Sequence, residues 1–233
     1  MASSLSAFVI VGIFYLYLGL VTSFIARSNS GSADTYYLNT NFSQNDPLLT
    51  RRPSLKDIFA GPIISSLDPS LGQENAPVVI VEFSDFTCEY CQNQEEVIKK
   101  VISVYKDKLK LLWKDYPDSN INSISYKAAV AARCAGEQNK FWVYHDALFK
   151  EGIKDNNTFL KFASELKLNE NKFNDCLNSG RSQLLINDNI KEANALDITG
   201  VPFVYINDQE VMGEATYEEL ERIIKIELAK VKK

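Results

Sequence analysis

The run Val78-Val79-Ile80-Val81-Glu82-Phe83-Ser84-Asp85-Phe86-Thr87-Cys88-Glu89-Tyr90-Cys91, VVIVEFSDFTCEYC, decides how this chain folds. Its first six residues, Val78–Phe83, are β-branched or aromatic except for one glutamate, the pattern of a strand buried on both faces. Two cysteines follow, with two residues between them. From Cys88 to about Lys106, Val97, Ile98, Val101 and Tyr105 recur at helical spacing. Glu95–Lys99 and Glu96–Lys100 read as i,i+4 ion pairs on the opposite, solvated side of that helix. KLKLLWKDYP, Lys108 to Pro117, is a second strand. Strand, helix and strand in so short a span make a βαβ unit with a parallel pair.

Working outward, residues 122–180 read as helical, in SYKAAVAARCAGEQNKFWVYHDALF and NNTFLKFASELKLNENKFNDCLNSG. A further helix covers about Ser182–Leu196. VPFVYIN and EVMG then form a hairpin around Asn207-Asp208, and TYEELERIIKIELAKVKK closes the chain as a helix. The order is that of an α/β domain with an all-helical insertion.

Upstream, residues 1–26 contain no Asp, Glu, Lys or Arg, and Ala7–Ala26 matches the length of a membrane-spanning helix. It reads as a retained transmembrane anchor, because a cleaved signal has a basic start and a shorter apolar core. Cleavage after Ser23 or Ala33 is the alternative. Residues 27–75 read as a linker. They are first rich in Ser, Asn and Gly, then hold four prolines and scattered apolar residues. Arg27 alone would place the rest in the cytoplasm, whereas the cysteines argue for the outer face. The net charge of −5, with no basic stripe, argues against nucleic acid as a partner.

Cys88 falls where a strand ends and a helix begins. The first turn of a helix carries unpaired N–H groups and a partial positive charge, which stabilise a thiolate. Cys91 lies one turn further in, near enough to close a disulfide and more buried. Cys88 is therefore the exchanging sulfur, and Cys91 resolves the mixed disulfide. A structural zinc site would need four ligands, and Cys134, Cys176 and His145, the remaining cysteines and the single histidine, are widely separated. Covalent haem would need His after Cys91, where Gln92 stands. No metal is expected.

These residues carry a resemblance. LGQENAPVVIVEFSDFTCEYC, AARCAGEQNKFWVYHDALF and TGVPFVYIN together resemble the DsbA-like thiol:disulfide oxidoreductases of the thioredoxin superfamily, in their membrane-anchored or secreted bacterial branch. The likeness spans roughly residues 68–228. It implies a thioredoxin fold whose first part is residues 76–121 and second part 181–233, with 122–180 as the helical insertion. It implies that Pro202 is cis and, with Val201, faces the cysteines. It also implies that Glu82, a costly carboxylate within an apolar strand, manages the proton of the second cysteine, with Lys114 on the neighbouring strand as its partner. An exposed strand-edge position is the plainer reading of Glu82. The chain departs from the family between the cysteines, where Glu89-Tyr90 replaces the usual Pro and His or Tyr. A carboxylate beside Cys88 opposes its thiolate and predicts a weaker oxidant than a strong DsbA.

Cys134 and Cys176 read either as buried free thiols or as a bridge stapling the helical insertion. The resemblance and an oxidising compartment favour the bridge. His145, between Phe141 and Leu148 on one helix face, reads as a packed core histidine. The activity expected is extracytoplasmic thiol–disulfide exchange with unfolded or partly folded secreted proteins. Oxidation of substrates leads, with a quinone-linked membrane partner as reoxidant, and no cofactor is expected beyond the redox-active disulfide. A reductase or isomerase of the same fold, or a non-catalytic peptide-binding module, are the alternatives.

Overall fold

The computed structural model describes residues 61–153 and 155–231. The apolar run Ala7–Ala26 and most of the linker lie outside them. Among the described residues no helix is long and apolar enough to cross a membrane.

A five-stranded sheet forms the centre, in the order β1-β3-β2-β4-β5. Strand β2, Val78–Ser84, is buried at nearly every position, and it runs parallel to β3, Leu109–Asp115. Helix α1, Glu89–Tyr105, crosses between them. β4, Phe203–Ile206, pairs antiparallel with β2, and β5, Gln209–Met212, with β4. The hairpin turns at Asn207, whose positive φ of 50° suits an asparagine. Its side-chain oxygen also accepts from the Val79 N–H at 2.9 Å, pinning the turn to the start of β2.

The other sheet edge corrects the linker boundary. Ser70–Gly72, within the stretch read as linker, forms β1 antiparallel to β3. Three exposed residues carry too short an alternation to announce a strand. Gly72 explains the close approach: its φ is 101°, and a Cβ there would collide with the Leu109 carbonyl oxygen.

Four helices make up the insertion: α2 Ile124–Gly136, α3 Phe141–Glu151, α4 Asn157–Glu165 and α5 Glu170–Ser179. The first quoted run is thus two helices. Asn139, at φ 59°, turns the chain between α2 and α3. Gly180, left-handed at φ 74°, ends α5 and starts α6, Arg181–Ala195. Helix α7, Tyr217–Val231, closes the chain. Its entry is a capping box: Glu219 accepts from the Thr216 N–H, and the Glu219 N–H donates to the Thr216 hydroxyl.

Strand alternation deals side chains to two faces of the sheet. Val78 and Ile80 pack with Ile98, Val101, Leu220 and Ile224, from α1 and α7. Val81 and Phe83 pack with Leu112, Ala193 and Leu196, toward α6. A third core, centred on Trp113, Tyr126 and Tyr144, fills the helical insertion and reaches Phe86 and Cys91. Within it Cys134 and Cys176 are bonded to each other, tying α2 to α5 across 42 residues.

Candidate active site

The site grows from the end of β2. Asp85 begins the turn into α1: its carboxylate accepts from the Thr87 N–H at 2.8 Å and from the Ser125 hydroxyl at 2.7 Å, and its carbonyl accepts from the Cys88 N–H. These bonds fix where Cys88 sits. Cys88 is extended, with φ −84° and ψ 121°, and is the N-cap of α1. Its sulfur accepts from the Cys91 N–H at 3.3 Å. A sulfur thus stands where a capping oxygen normally sits, against the unpaired N–H groups of the first turn.

Both active-loop cysteines are free thiols, Cys88 half-buried and Cys91 fully buried. Glu89 and Tyr90 are exposed, Tyr90 at 62%. Burial, the larger cause, and the neighbouring Cys88 push the Cys91 thiol far above its ordinary range. Cys91 therefore holds its proton tightly, while Cys88 alone is open to a partner.

Across from Cys88 runs the loop into β4. The Val201–Pro202 peptide bond is cis. The Cys88 thiol donates to the Val201 carbonyl at 3.6 Å, joining positions 113 residues apart. Beyond it, the Pro202 carbonyl accepts from the Gly213 N–H at 2.9 Å, which anchors the loop to the end of β5.

Beneath the cysteines, Glu82 is wholly buried, not at a strand edge. Neither of its oxygens has an aligned hydrogen-bond donor. Burial first, and then the adjacent Glu95 carboxylate, raise Glu82 well above the ordinary carboxylate range and favour its protonated form.

Lys114 is not its partner. In the register of β2 and β3, Glu82 lies beside Trp113, and Lys114 beside Phe83. The two-residue period puts Lys114 on the α6 face, away from Glu82. There its ammonium pairs with Asp68 at 2.8 Å and Glu192 at 2.9 Å, and donates to the Ile63 carbonyl at 2.7 Å. It is a strap for residues 61–69, outside the cysteine site. Arg133 works beside it, bonding Asp115 at 2.6 Å, the Leu67 carbonyl at 2.9 Å and Asn189 at 2.8 Å.

Glu95 is the residue that sequence reasoning misplaced. It is 2% exposed, with Ile98 and Val101 on the buried side of α1. Lys99 pairs instead with Asp146 of α3 at 3.1 Å. Glu95 reaches His145, whose Nε2 lies 3.3 Å away, while Asp146 lies 3.1 Å from Nδ1 of the same ring. The signal was available: Glu95 is one turn before Ile98 and two before Ile102, on the core stripe. His145 is packed among aromatic rings, Trp113 at 4.7 Å and Phe149 at 5.0 Å between centroids, yet it also carries a charge role that its position did not announce. Glu95, His145 and Asp146 lie close enough for a metal-ligand set. One carboxylate stands at each ring nitrogen.

A family model described as Thioredoxin matches residues 65–226. The Na(+)/H(+) antiporter NhaA 1 of Salinispora arenicola is 28% identical over 160 residues, which are 68% of this chain and 24% of that protein. The chain thus spans about a quarter of the length of these antiporter relatives. The Probable disulfide bond formation protein D of Bacillus anthracis is 28% identical over 178 residues, covering 71% of this chain and 80% of that one. The thiol-disulfide exchange protein alpha-DsbA2 of Wolbachia pipientis superposes with a TM-score of 0.63 at 24% identity, covering 69% of this chain and 87% of the other, and so shares the fold.

Proposed function

Because this chain belongs to the thioredoxin family, we propose that it is a DsbA-like thiol–disulfide oxidoreductase working through Cys88 and Cys91. The observation that carries the reading is the placement of Cys88. Its sulfur meets the first-turn N–H of α1 at 3.3 Å and the Val201 carbonyl at 3.6 Å, at the open end of the buried Cys91. One sulfur caps a helix N-terminus and is reachable, and the other is hidden.

In the oxidase direction the pair begins as a disulfide. A substrate thiolate attacks Cys88 Sγ, and the Cys88–Cys91 bond breaks. Cys91 leaves as a thiolate and takes up a proton. A second substrate thiolate then attacks the substrate sulfur of the mixed disulfide. Cys88 departs as the thiolate that the helix N-terminus stabilises. Two electrons pass from two substrate thiols to the cysteine pair, and no further cofactor is needed. The backbone around Val201 and Pro202 holds the substrate strand alongside Cys88, as in β-strand addition.

The substrates are unfolded or partly folded secreted proteins, met on the extracytoplasmic side. The run Ala7–Ala26 holds the domain there as a membrane anchor, and a quinone-linked membrane protein reoxidises the pair. The disulfide-formation name of the Bacillus relative supports oxidation as the direction, at 28% identity. Glu89, next to Cys88, opposes the thiolate and makes the pair a mild oxidant.

The test is Cys88→Ser in the full chain. The variant loses dithiol oxidation and insulin reduction entirely; retention of either activity overturns the reading and leaves a peptide-binding module. Titration of the unmodified protein against glutathione gives a potential below the strong-oxidant value of about −120 mV. A value at or above it removes the role given to Glu89.

A further inference from the structure

Glu95 and His145 face each other in the core, and the exchange reaction uses neither. Glu95 projects from α1 and is 2% exposed; His145 projects from α3 and is wholly buried. Glu95 Oε1 lies 3.3 Å from Nε2 of the ring. Yet both atoms lack an aligned hydrogen-bond partner. Among the described residues the imidazole is also the single ion-pair partner of Glu95. Two buried polar atoms at this separation, turned off each other's axis, are costly unless something stands between them. Their 50-residue spacing in the chain hides the pair from any short motif.

The opposite ring nitrogen says what that is. Nδ1 of His145 and Asp146 Oδ1 are hydrogen-bonded at 3.1 Å. Asp146 is 54% exposed, so its carboxylate is ionised at neutral pH and only accepts. Nδ1 therefore carries the hydrogen, and Nε2 of the neutral ring presents a bare lone pair on the side of the Glu95 oxygen. An imidazole and a carboxylate side by side, with an outer carboxylate behind the ring, are the parts of a zinc site. Zinc bonds of about 2.0–2.2 Å at tetrahedral angles set two ligand atoms about 3.3–3.6 Å apart, and the 3.3 Å separation meets this. A cavity of about 200 Å³ opens beside them, lined by Glu95, Lys99, Trp142, His145 and Asp146. At about 30 Å³ each, two waters fit there to complete the tetrahedron. Lys99 is the other charge facing the cavity, and it pairs with Asp146 at 3.1 Å. Phe86, Trp113 and Phe149 cover the remaining sides of the ring and keep bulk water from competing.

We propose that His145 Nε2 and Glu95 Oε1 are the protein ligands of a zinc site, with Asp146 holding the ring through Nδ1–H and two waters completing the tetrahedron. Nothing is oxidised or reduced on binding: the nitrogen lone pair and the carboxylate replace two of the ion's waters. Zinc rather than calcium or magnesium is the occupant, because those harder ions take oxygen ligands. In the metal-free chain a proton stands in for the ion. Burial alone would push His145 down, but Glu95 and Asp146 outweigh it and raise the imidazole above its ordinary value. The ion ties α1 to α3 of the insertion, one helical turn along α1 from Cys91. The site is independent of the exchange reaction proposed above.

The test uses the full chain without an affinity tag, carrying Cys88→Ser with Cys91→Ser so that no thiolate competes for the metal. His145 is the one histidine of the sequence, so its ring nitrogens report on this site alone in nitrogen NMR. Zinc chloride moves the Nε2 resonance to a metal-bound position, leaves Nδ1 protonated and raises the thermal midpoint. Glu95→Gln, which keeps the side chain's size and removes its charge, abolishes both effects at the same zinc concentration. Asp146→Ala, at the exposed end, weakens zinc binding roughly 10- to 100-fold, the cost of losing the carboxylate behind a ligating histidine. Calcium and magnesium chloride move neither nitrogen, and a shift with either one overturns the assignment to zinc. The proposal also fails if both ring nitrogens stay put at roughly 1 mM zinc, a concentration at which even a weak site fills. Zinc that binds and leaves Nε2 unmoved sits elsewhere and overturns it too. So does an unchanged zinc affinity in Asp146→Ala, which decides the matter should Glu95→Gln fail to fold.

Discussion

Glu82 stores a cost in the core. A carboxyl in an apolar strand loses its hydration, and among the described residues no aligned donor replaces it. The folded protein holds this proton to higher pH than the unfolded chain, whose carboxyl titrates near 4.5. Above that value the unfolded state releases the proton first, so stability falls as pH rises toward the folded value. His145 adds the same sign. Its stabilisation is complete below its ordinary value of 6.5 and is lost as pH climbs through the raised one. Glu82→Leu therefore stabilises the protein by about 1–3 kcal/mol near neutrality. Urea unfolding at a series of pH values shows the gain growing from pH 4.5 upward. A gain that is flat with pH would mean Glu82 is not protonated in the fold.

At the scale of elements, the segment before β1 is held by two buried cations rather than by a ladder of its own. The Lys114 side chain is 2% exposed, and those of its partners Asp68 and Glu192 are 4% and 11% exposed. One ammonium thereby joins residues 61–69, β3 and α6. Lys114→Ala leaves two carboxylates facing each other without a cation, a loss of about 3–5 kcal/mol for a broken buried pair. Urea unfolding measures the loss. Limited proteolysis then cuts within residues 61–69 before anything else. Resistance of that segment would show that β1 and the Trp142 indole bond to the Ser70 carbonyl, 2.7 Å, suffice to hold it. The exchange chemistry, on the opposite face of the sheet, keeps its rate in this variant.

For the whole molecule, sheet and insertion are coupled through one aromatic core. Phe86 and Phe149 join the cysteine loop to α3, with ring centroids 5.1 Å apart. Farther out, the Cys134–Cys176 bond closes a 42-residue loop. In the chain-entropy account a closure of that length contributes about 4 kcal/mol. Cys134→Ala with Cys176→Ala lowers thermal and urea stability by about that amount while Cys88 keeps its reactivity, read by thiol alkylation rates. Equal loss of reactivity and stability would mean the insertion positions the cysteines directly.

How much of this was legible in the chain follows from the range of each interaction. Val78–Phe83, the helix after Cys88 and the hairpin at Asn207-Asp208 are local patterns, and the sequence alone determined them, along with the βαβ order and the helical insertion. The CxxC at a strand-to-helix junction likewise placed a sulfur at a helix N-terminus without any tertiary information. Only the folded chain decided which charge meets which. Lys114 and Glu82 are neighbours on adjacent strands in sequence logic, but a one-position register difference sends them to opposite faces of the sheet. Glu95 was read as solvated because it has a lysine four residues on, and the core stripe of α1 claimed it instead. Its pairing with His145, 50 residues away, arises from α3 packing on α1. Backbone periodicity is written residue by residue, whereas the partner of a buried charge is set by register and packing, which no short stretch encodes.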